Sequence, residues 1–174
     1  MTPNKDLLII TASNGENLKL AEKFETIAKN LGAESELLDL TQQSLPLFNP
    51  RTQATDALPE LIESLSQTMQ SIPRWIICSP EYNGSIPPVL TNTIAWLSVH
   101  GQDFRRLFNG RPIAMASFSG GDGIEGLVSM RIQLTHLGAQ VLGRQLSSNS
   151  KKLPKDQSIE DLIIRLLQMN PLKI

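Results

Sequence analysis

Three short stretches concentrate the residue types that could do chemistry in this chain. They are Thr11-Ala12-Ser13-Asn14-Gly15-Glu16-Asn17, Ser79-Pro80-Glu81-Tyr82-Asn83-Gly84 and Ser119-Gly120-Gly121-Asp122-Gly123. Each follows an apolar run and precedes a segment with helical spacing. The first offers hydroxyl and amide donors at the start of a helix, where backbone N–H groups are unpaired and carry partial positive charge. That combination suits a phosphate monoester held by neutral donors and needs no lysine. It is neither the Rossmann glycine fingerprint nor a Walker loop, because the Gly-Lys-Ser/Thr ending is missing. Glu16 would repel a phosphate here unless it points outward. An ordinary turn capped by Ser13 or Asn14 is the competing reading of the same residues. In the third stretch, two adjacent glycines let backbone approach a planar ligand without interference from Cβ atoms. In the second, Pro80, Asn83, Gly84, Pro87 and Pro88 crowd into nine residues and specify a fixed loop.

Catalytic constellations of other kinds are missing from the sequence. There is no nucleophile–base pair, no pair of carboxylates and no metal-ligand spacing. The single cysteine, Cys78, falls inside an apolar run and reads as a small buried residue; no intramolecular disulfide is possible. His100 follows a helix and His136 sits in the last turn of another, positions typical of caps and dipole partners. A protein without its own catalytic groups is consistent with one that binds, orients and tunes a group carrying the chemistry.

The elements that must position these stretches follow from periodicity. Leu7 to Ile10 reads as a first strand, and Leu18 to Leu31 as a helix ended by Gly32. Ser35 to Leu40 is a weaker second strand, and Leu45-Pro46-Leu47-Phe48-Asn49-Pro50 lies in a long connection. Leu58 to Ile72 is a helix, and Trp75 to Cys78 a third strand whose continuous apolar run expects cover on both faces. Helical spacing resumes at Val89, Leu90, Thr93, Ile94 and Leu97. Arg111 to Phe118 is the fourth strand, Ile124 to Leu137 a helix closed by Gly138, and Ala139 to Leu142 the fifth strand. A polar loop, Ser147 to Pro154, and an amphipathic helix, Ile159 to Met169, complete the chain. Strand and helix alternating five times predict an α/β protein with a parallel sheet and helices on both faces.

Composition sets the outer bounds. The 174 residues, 40% hydrophobic and 19% charged, suit one domain spanning 1–174 with a sizeable core. A net charge of −1 gives no reason to expect nucleic acid or a membrane surface. No apolar run approaches membrane length, and the first ten residues lack a signal-peptide core, so a cytoplasmic location is expected.

The second stretch, Ser79-Pro80-Glu81-Tyr82-Asn83-Gly84, with Ser85-Ile86-Pro87, Asn92 and Trp96 after it, resembles the flavin loop of NADPH-dependent FMN reductases. These are flavodoxin-like quinone, azo-dye and flavin reductases. The resemblance implies a three-layer sandwich with strand order 2-1-3-4-5, whose first and third strands flank the switch point where such sheets bind ligands. It implies FMN as cofactor and NADPH or NADH as electron donor. The residues it would place at FMN are Thr11, Ser13, Asn14, Gly15, Asn17 and Leu18 in the first loop. Pro80, Glu81, Tyr82, Asn83 and Gly84 follow in the second, and Ser117, Ser119, Gly120 and Gly121 around the third. No residue is assigned a catalytic or metal-binding role, and Glu81 reads as structural or positioning. The implied reaction is ping-pong: hydride passes from NAD(P)H to FMN, and a small acceptor such as a quinone, azo compound, metal oxyanion or free flavin then takes the electrons. A homodimer or homotetramer is implied too. The first loop departs from the family in being short, without the arginine and extra serines many members carry there. No obvious basic cluster marks a 2′-phosphate, so the sequence does not choose between the two coenzymes.

Three other readings compete. A flavodoxin-type electron carrier would be strongly acidic and would sandwich flavin between aromatics, whereas only Tyr82 stands in the candidate loops. A phospho-accepting signalling domain needs carboxylates at the ends of the first and third strands to hold Mg²⁺, where this chain has Thr11 and Ser79. The third is a relative that has lost flavin and serves as a binding or structural module.

Overall fold

A computed structural model describes residues 5–53, 60–103 and 105–173. Its centre is the sheet that the apolar runs predict. β1 (Leu7–Thr11), β2 (Ser35–Asp39), β3 (Arg74–Cys78), β4 (Pro112–Phe118) and β5 (Gln140–Val141) are joined in the order β2-β1-β3-β4-β5. All pairings are parallel. Every residue of β1 is buried, as expected of a strand covered on both faces.

Alternation along the strands divides the core in two. Leu8, Ile10, Trp75, Ile77, Ile113 and Met115 face one side, where they pack with α3 (Glu60–Ser71), α4 (Pro88–Ser98) and α5 (Ile124–His136). Leu7, Ile9, Ile76, Cys78, Ala114 and Ala116 face the other, against α1 (Glu16–Asn30) and α6 (Asp156–Gln168). The layers are therefore helix, sheet, helix, and the strand order places the switch point between β1 and β3.

One expectation changes. The fifth strand is not one run over Ala139–Leu142. It is interrupted, and a further short strand, β6 (Leu146–Ser148), pairs with β4 at Ala116, Ser117 and Phe118. Gly143 and the polar Arg144 and Gln145 break the apolar signal there, while backbone pairing brings Ser147 and Ser148 back to the sheet although they were expected to begin a loop. The long connection after β2 carries structure of its own. It contains the short helix α2 (Pro50–Gln53) and is strapped to α4. The Pro46 carbonyl accepts from Asn92 Nδ2 at 3.0 Å and Trp96 Nε1 at 2.7 Å, and Phe48 N–H donates to Asn92 Oδ1 at 2.7 Å. The rings of Phe48 and Trp96 meet edge to face at 5.3 Å. Asn92 and Trp96, part of the resemblance, thus hold a neighbouring segment. The start expected for the next helix, Leu58, lies outside the described residues; the helix is described from Glu60.

Candidate functional site

The loops after β1, β3 and β4 come together at the C-terminal edge of the sheet. They enclose a cleft of about 350 Å³ lined by Ser13, Asn14, Gly15, Glu16 and Asn17, by Pro80, Glu81 and Tyr82, and by Phe118, Ser119 and Gly120. Two larger hollows, of about 700 Å³ beside α1 and about 570 Å³ between α3 and α4, are lined by residues remote from these loops. Neither lies at the carboxyl ends of the strands, where open α/β sheets bind ligands.

The first loop is built from its own side chains. Thr11 Oγ1 donates to the Ser13 carbonyl at 2.8 Å and accepts from Ser13 N–H at 3.4 Å, closing a small turn. The cap of α1 is Gly15, with no side-chain capping bond, so neither Ser13 nor Asn14 takes the role open to it in the competing reading. The N–H groups of Asn14, Gly15, Glu16 and Asn17 find no acceptor among the described residues. Four unpaired donors at the positive end of a 15-residue helix are groups that an anion can satisfy. The Glu16 carboxylate binds Lys19 Nζ at 2.6 Å and is half exposed, so it is held by a partner on its own helix surface.

Two of the expected ligands spend their side chains on the fold. Asn17 is 2% exposed; its Nδ2 donates to the Phe118 carbonyl at 2.8 Å and its Oδ1 accepts from Phe118 N–H at 2.9 Å. That two-way bond fastens the start of α1 to the end of β4. The Glu81 carboxylate accepts from Gly126 N–H at 2.9 Å, and Glu81 N–H donates to Ser119 Oγ at 2.7 Å. Gly126 is the third residue of α5, so Glu81 caps that helix from another loop and ties the second loop to the third. Contact is close enough that a Cβ on Gly126 would lie 3.1 Å from Glu81 Cβ.

Asn83 and Gly84 form the tip of a tight hairpin, with φ of 52° and 69°. Tyr82 and Ser85 exchange backbone bonds of 3.0 Å on either side. Two successive positive φ values are the requirement that makes Asn-Gly the preferred pair in a two-residue turn. Tyr82 is 50% exposed at the cleft. Thr11 and Ser117 are buried, and Leu18 is half buried; these three, with Asn83, Gly84 and Gly121, do not line the cleft itself. Ser117 Oγ lies 3.2 Å from Ser119 Oγ, so it supports a residue that does. Phe118 is a cleft residue the sequence reading passed over. It reads as the last residue of a strand, and only the ladder shows which way such a residue turns.

The glycines separate structural from functional need. Gly123 has a φ of 65°, and a Cβ there would lie 2.6 Å from Ser117 Oγ. Gly15, Gly120 and Gly121 have no positive φ, and a Cβ on any of them meets no atom within 4 Å. Packing does not demand glycine at these three positions, nor at Gly143 outside the cleft, where a Cβ likewise meets no atom within 4 Å.

Cys78 is buried at the end of β3, and burial pushes its thiol far up. His100 lies outside the cleft and pairs with Glu63 at 2.8 Å. Among the described residues there is no group of three or more His, Cys, Asp or Glu side chains placed to hold a metal ion. No helix among them is long and apolar enough to cross a membrane.

A family model described as NADPH-dependent FMN reductase matches residues 6–152. An NADPH azoreductase of Bacillus sp. (strain OY1-2) is 29% identical over 115 residues, 65% of this chain and 60% of that protein. A quinone reductase of Escherichia coli (strain K12) is 35% identical over 54 residues, 31% of this chain and 29% of that protein. The chain thus spans less than two thirds of either relative's length. Among solved structures, FerB from Paracoccus denitrificans, a flavoenzyme NAD(P)H:(acceptor) oxidoreductase, superposes with a TM-score of 0.75 at 19% identity, covering 95% of this chain and 96% of that one. A flavodoxin from the domain Archaea gives 0.65 at 14% identity, covering 93% and 96%. These likenesses carry the flavodoxin-like fold, and the family model, spanning residues 6–152, carries the affiliation: the chain belongs to the NADPH-dependent FMN reductase family.

Proposed function

We propose that the cleft holds FMN and that the protein is an NAD(P)H-dependent oxidoreductase, passing electrons from the nicotinamide coenzyme to a small acceptor such as a quinone, azo compound, metal oxyanion or free flavin. The observation that carries this reading is the glycine pattern. Gly15 and Gly120 line the cleft without side chains where packing leaves room for a Cβ, which makes sense if a ligand occupies that space. The free N–H groups of Asn14 to Asn17 fit its phosphate, and Gly120 in the cleft's wall fits the edge of its ring. Bound FMN supplies the electron-accepting centre, so the chain itself needs no acid, base or nucleophile. What its residues do is hold and shape. Asn17 and Glu81 lock the three loops together, backbone N–H groups face the ligand, and Tyr82 and Phe118 give the cleft apolar walls.

The same reading takes the protein to be cytoplasmic and a homodimer or homotetramer. Ile124, Val128 and Ile132 are 42%, 47% and 66% exposed along one stripe of α5. The Tyr82–Ser85 hairpin abuts the start of that helix, since a Cβ on Gly84 would lie 4.0 Å from Glu125 Cβ. An apolar stripe beside the cleft supports a subunit contact there.

The test is spectroscopic and kinetic. The purified protein with added FMN is expected to show visible flavin bands and to oxidise NADPH or NADH when given a panel of acceptors. Gly120→Val is expected to weaken FMN binding at least tenfold, about 1.4 kcal/mol, with little loss of stability. A colourless protein that takes up no FMN would overturn the reading.

A further inference from the structure

Beside the third loop stands a turn to which no role has been given. Asn149 Oδ1 accepts from the N–H groups of Lys151 and Lys152 at 2.9 and 2.8 Å, and Asn149 and Lys152 exchange backbone bonds of 3.0 and 3.1 Å. The closed turn is stapled to the third loop just past Gly120, which lines the cleft. Asn149 Nδ2 reaches the Gly121 carbonyl and Asp122 Oδ1, both at 3.2 Å, and Ser147 Oγ donates to the Asp122 carbonyl at 2.5 Å. Behind the staple, Ser148 is buried and bonded to the Ser117 carbonyl at 2.7 Å. On the other side, Lys23 Nζ binds the Pro154 carbonyl at 3.0 Å, which sets the same loop against α1, the helix whose free N–H groups face the cleft. The turn is thus fixed to the third loop, and the chain just after it to the middle of α1.

Its two amino groups are free. Lys5, Lys19, Lys23, Arg144 and Arg165 each have a carboxylate partner. Lys151 and Lys152 are exposed and have none among the described residues. The one carboxylate at the staple, Asp122, already accepts from Asn149. Two neighbouring ammonium groups on a rigid support attract a doubly charged anion in particular, because lysine acts as a compact point charge that needs no fixed approach direction. Their presentation comes from backbone bonds, so the lysine side chains are not used to build the turn.

We infer that Lys151 and Lys152 form a phosphomonoester clamp at the margin of the cleft. This rests on the oxidoreductase reading above, which brings two such groups to that place: the 2′-phosphate that distinguishes NADPH from NADH, and the 5′-phosphate that distinguishes FMN from riboflavin. Clamping the first would make the pair the determinant of coenzyme choice. Clamping the second would make it the cationic partner that the first loop lacks.

The experiment uses the full-length FMN-loaded protein and the variant K151Q/K152Q. It measures kcat/KM for NADPH and for NADH, at low and high salt, and the affinity of the flavin-free protein for FMN and for riboflavin. If the coenzyme is the ligand, kcat/KM for NADPH falls at least tenfold, the value for NADH stays level, and added salt erases the difference. If the flavin is the ligand, FMN affinity falls at least tenfold and riboflavin affinity does not. K151R/K152R is expected to restore the lost preference, and K29Q, far from the cleft on α1, to change nothing. NADPH/NADH and FMN/riboflavin ratios that are the same in variant and wild type overturn the clamp while leaving the oxidoreductase reading intact. A wild-type protein that binds neither flavin and oxidises neither coenzyme overturns both.

Discussion

Replacing Glu81 tests whether one carboxylate aligns two walls of the cleft. Its bond to Gly126 N–H, 2.9 Å long, satisfies a buried donor in the first turn of α5. A hydrogen bond to a charged group contributes about 1.5–3 kcal/mol. The favourable placement of a negative charge at a helix N-terminus, about 0.3–1 kcal/mol, is largely contained in that figure. Glu81→Ala leaves the Gly126 donor unpaired, and because Glu81 is only partly buried, water recovers some of the loss. About 2 kcal/mol is the expected destabilisation, which at this chain length lowers the melting temperature by about 4–8 °C. Glu81→Gln keeps an acceptor of the same reach and removes only the charge, so about 0.5–1 kcal/mol is expected. Urea unfolding of the flavin-free protein, followed by circular dichroism, measures both. With the carboxylate gone, the second loop is joined to the third by little more than the Glu81 N–H bond to Ser119 Oγ. FMN affinity is therefore expected to fall about tenfold in Glu81→Ala, a difference of about 1.4 kcal/mol, and to fall less in Glu81→Gln. If Glu81→Ala is as stable as wild type, the carboxylate does not cap α5. If stability falls and FMN affinity does not, the cap holds the helix without positioning the cleft.

Two further outcomes are expected. At the hairpin tip, Asn83→Ala places an alanine at a φ of 52° and costs about 1–2 kcal/mol, whereas Asn83→Gly is tolerated; if Asn83→Gly loses FMN as badly as Asn83→Ala, the asparagine side chain is itself a ligand and the turn is not the reason for it. Cys78 is fully buried with its thiol pushed up by burial, so alkylation at pH 8 is expected to be slower in the folded protein than in urea by a factor of about 10³ or more; rapid labelling of the native protein would place β3 in a more open setting.

Much of this architecture could be read from the chain, because a parallel sheet covered on both sides needs continuous apolar strands. Leu7–Ile10, Trp75–Cys78 and Pro112–Ala116 announce themselves as such. The three loops were legible for a related reason, since glycine, proline and small polar residues between a strand and a helix interrupt both periods at once. The interrupted fifth strand was not legible. Leu146, Ser147 and Ser148 are too few and too polar to show a period, and only pairing with β4 makes them a strand.

The roles within the loops divide along the same line. Sequence alone determined that small donors precede a helix at Ser13 to Asn17 and that two glycines follow the fourth strand, because these are properties of residue type and order. Tertiary structure decided which of those groups remain free. Asn17 and Phe118 are 101 positions apart and Glu81 and Gly126 are 45 apart, so no local pattern reveals that two of the most polar candidates are bound to partners while the amides of Asn14 and Gly15 are not. The same holds for Lys151 and Lys152, an unremarkable pair in the sequence. Only the staple from Asn149 to the third loop, 28 positions away at Gly121, sets them beside the cleft. A side chain's type fixes what bonds it can make, but the fold determines which of those bonds are already taken.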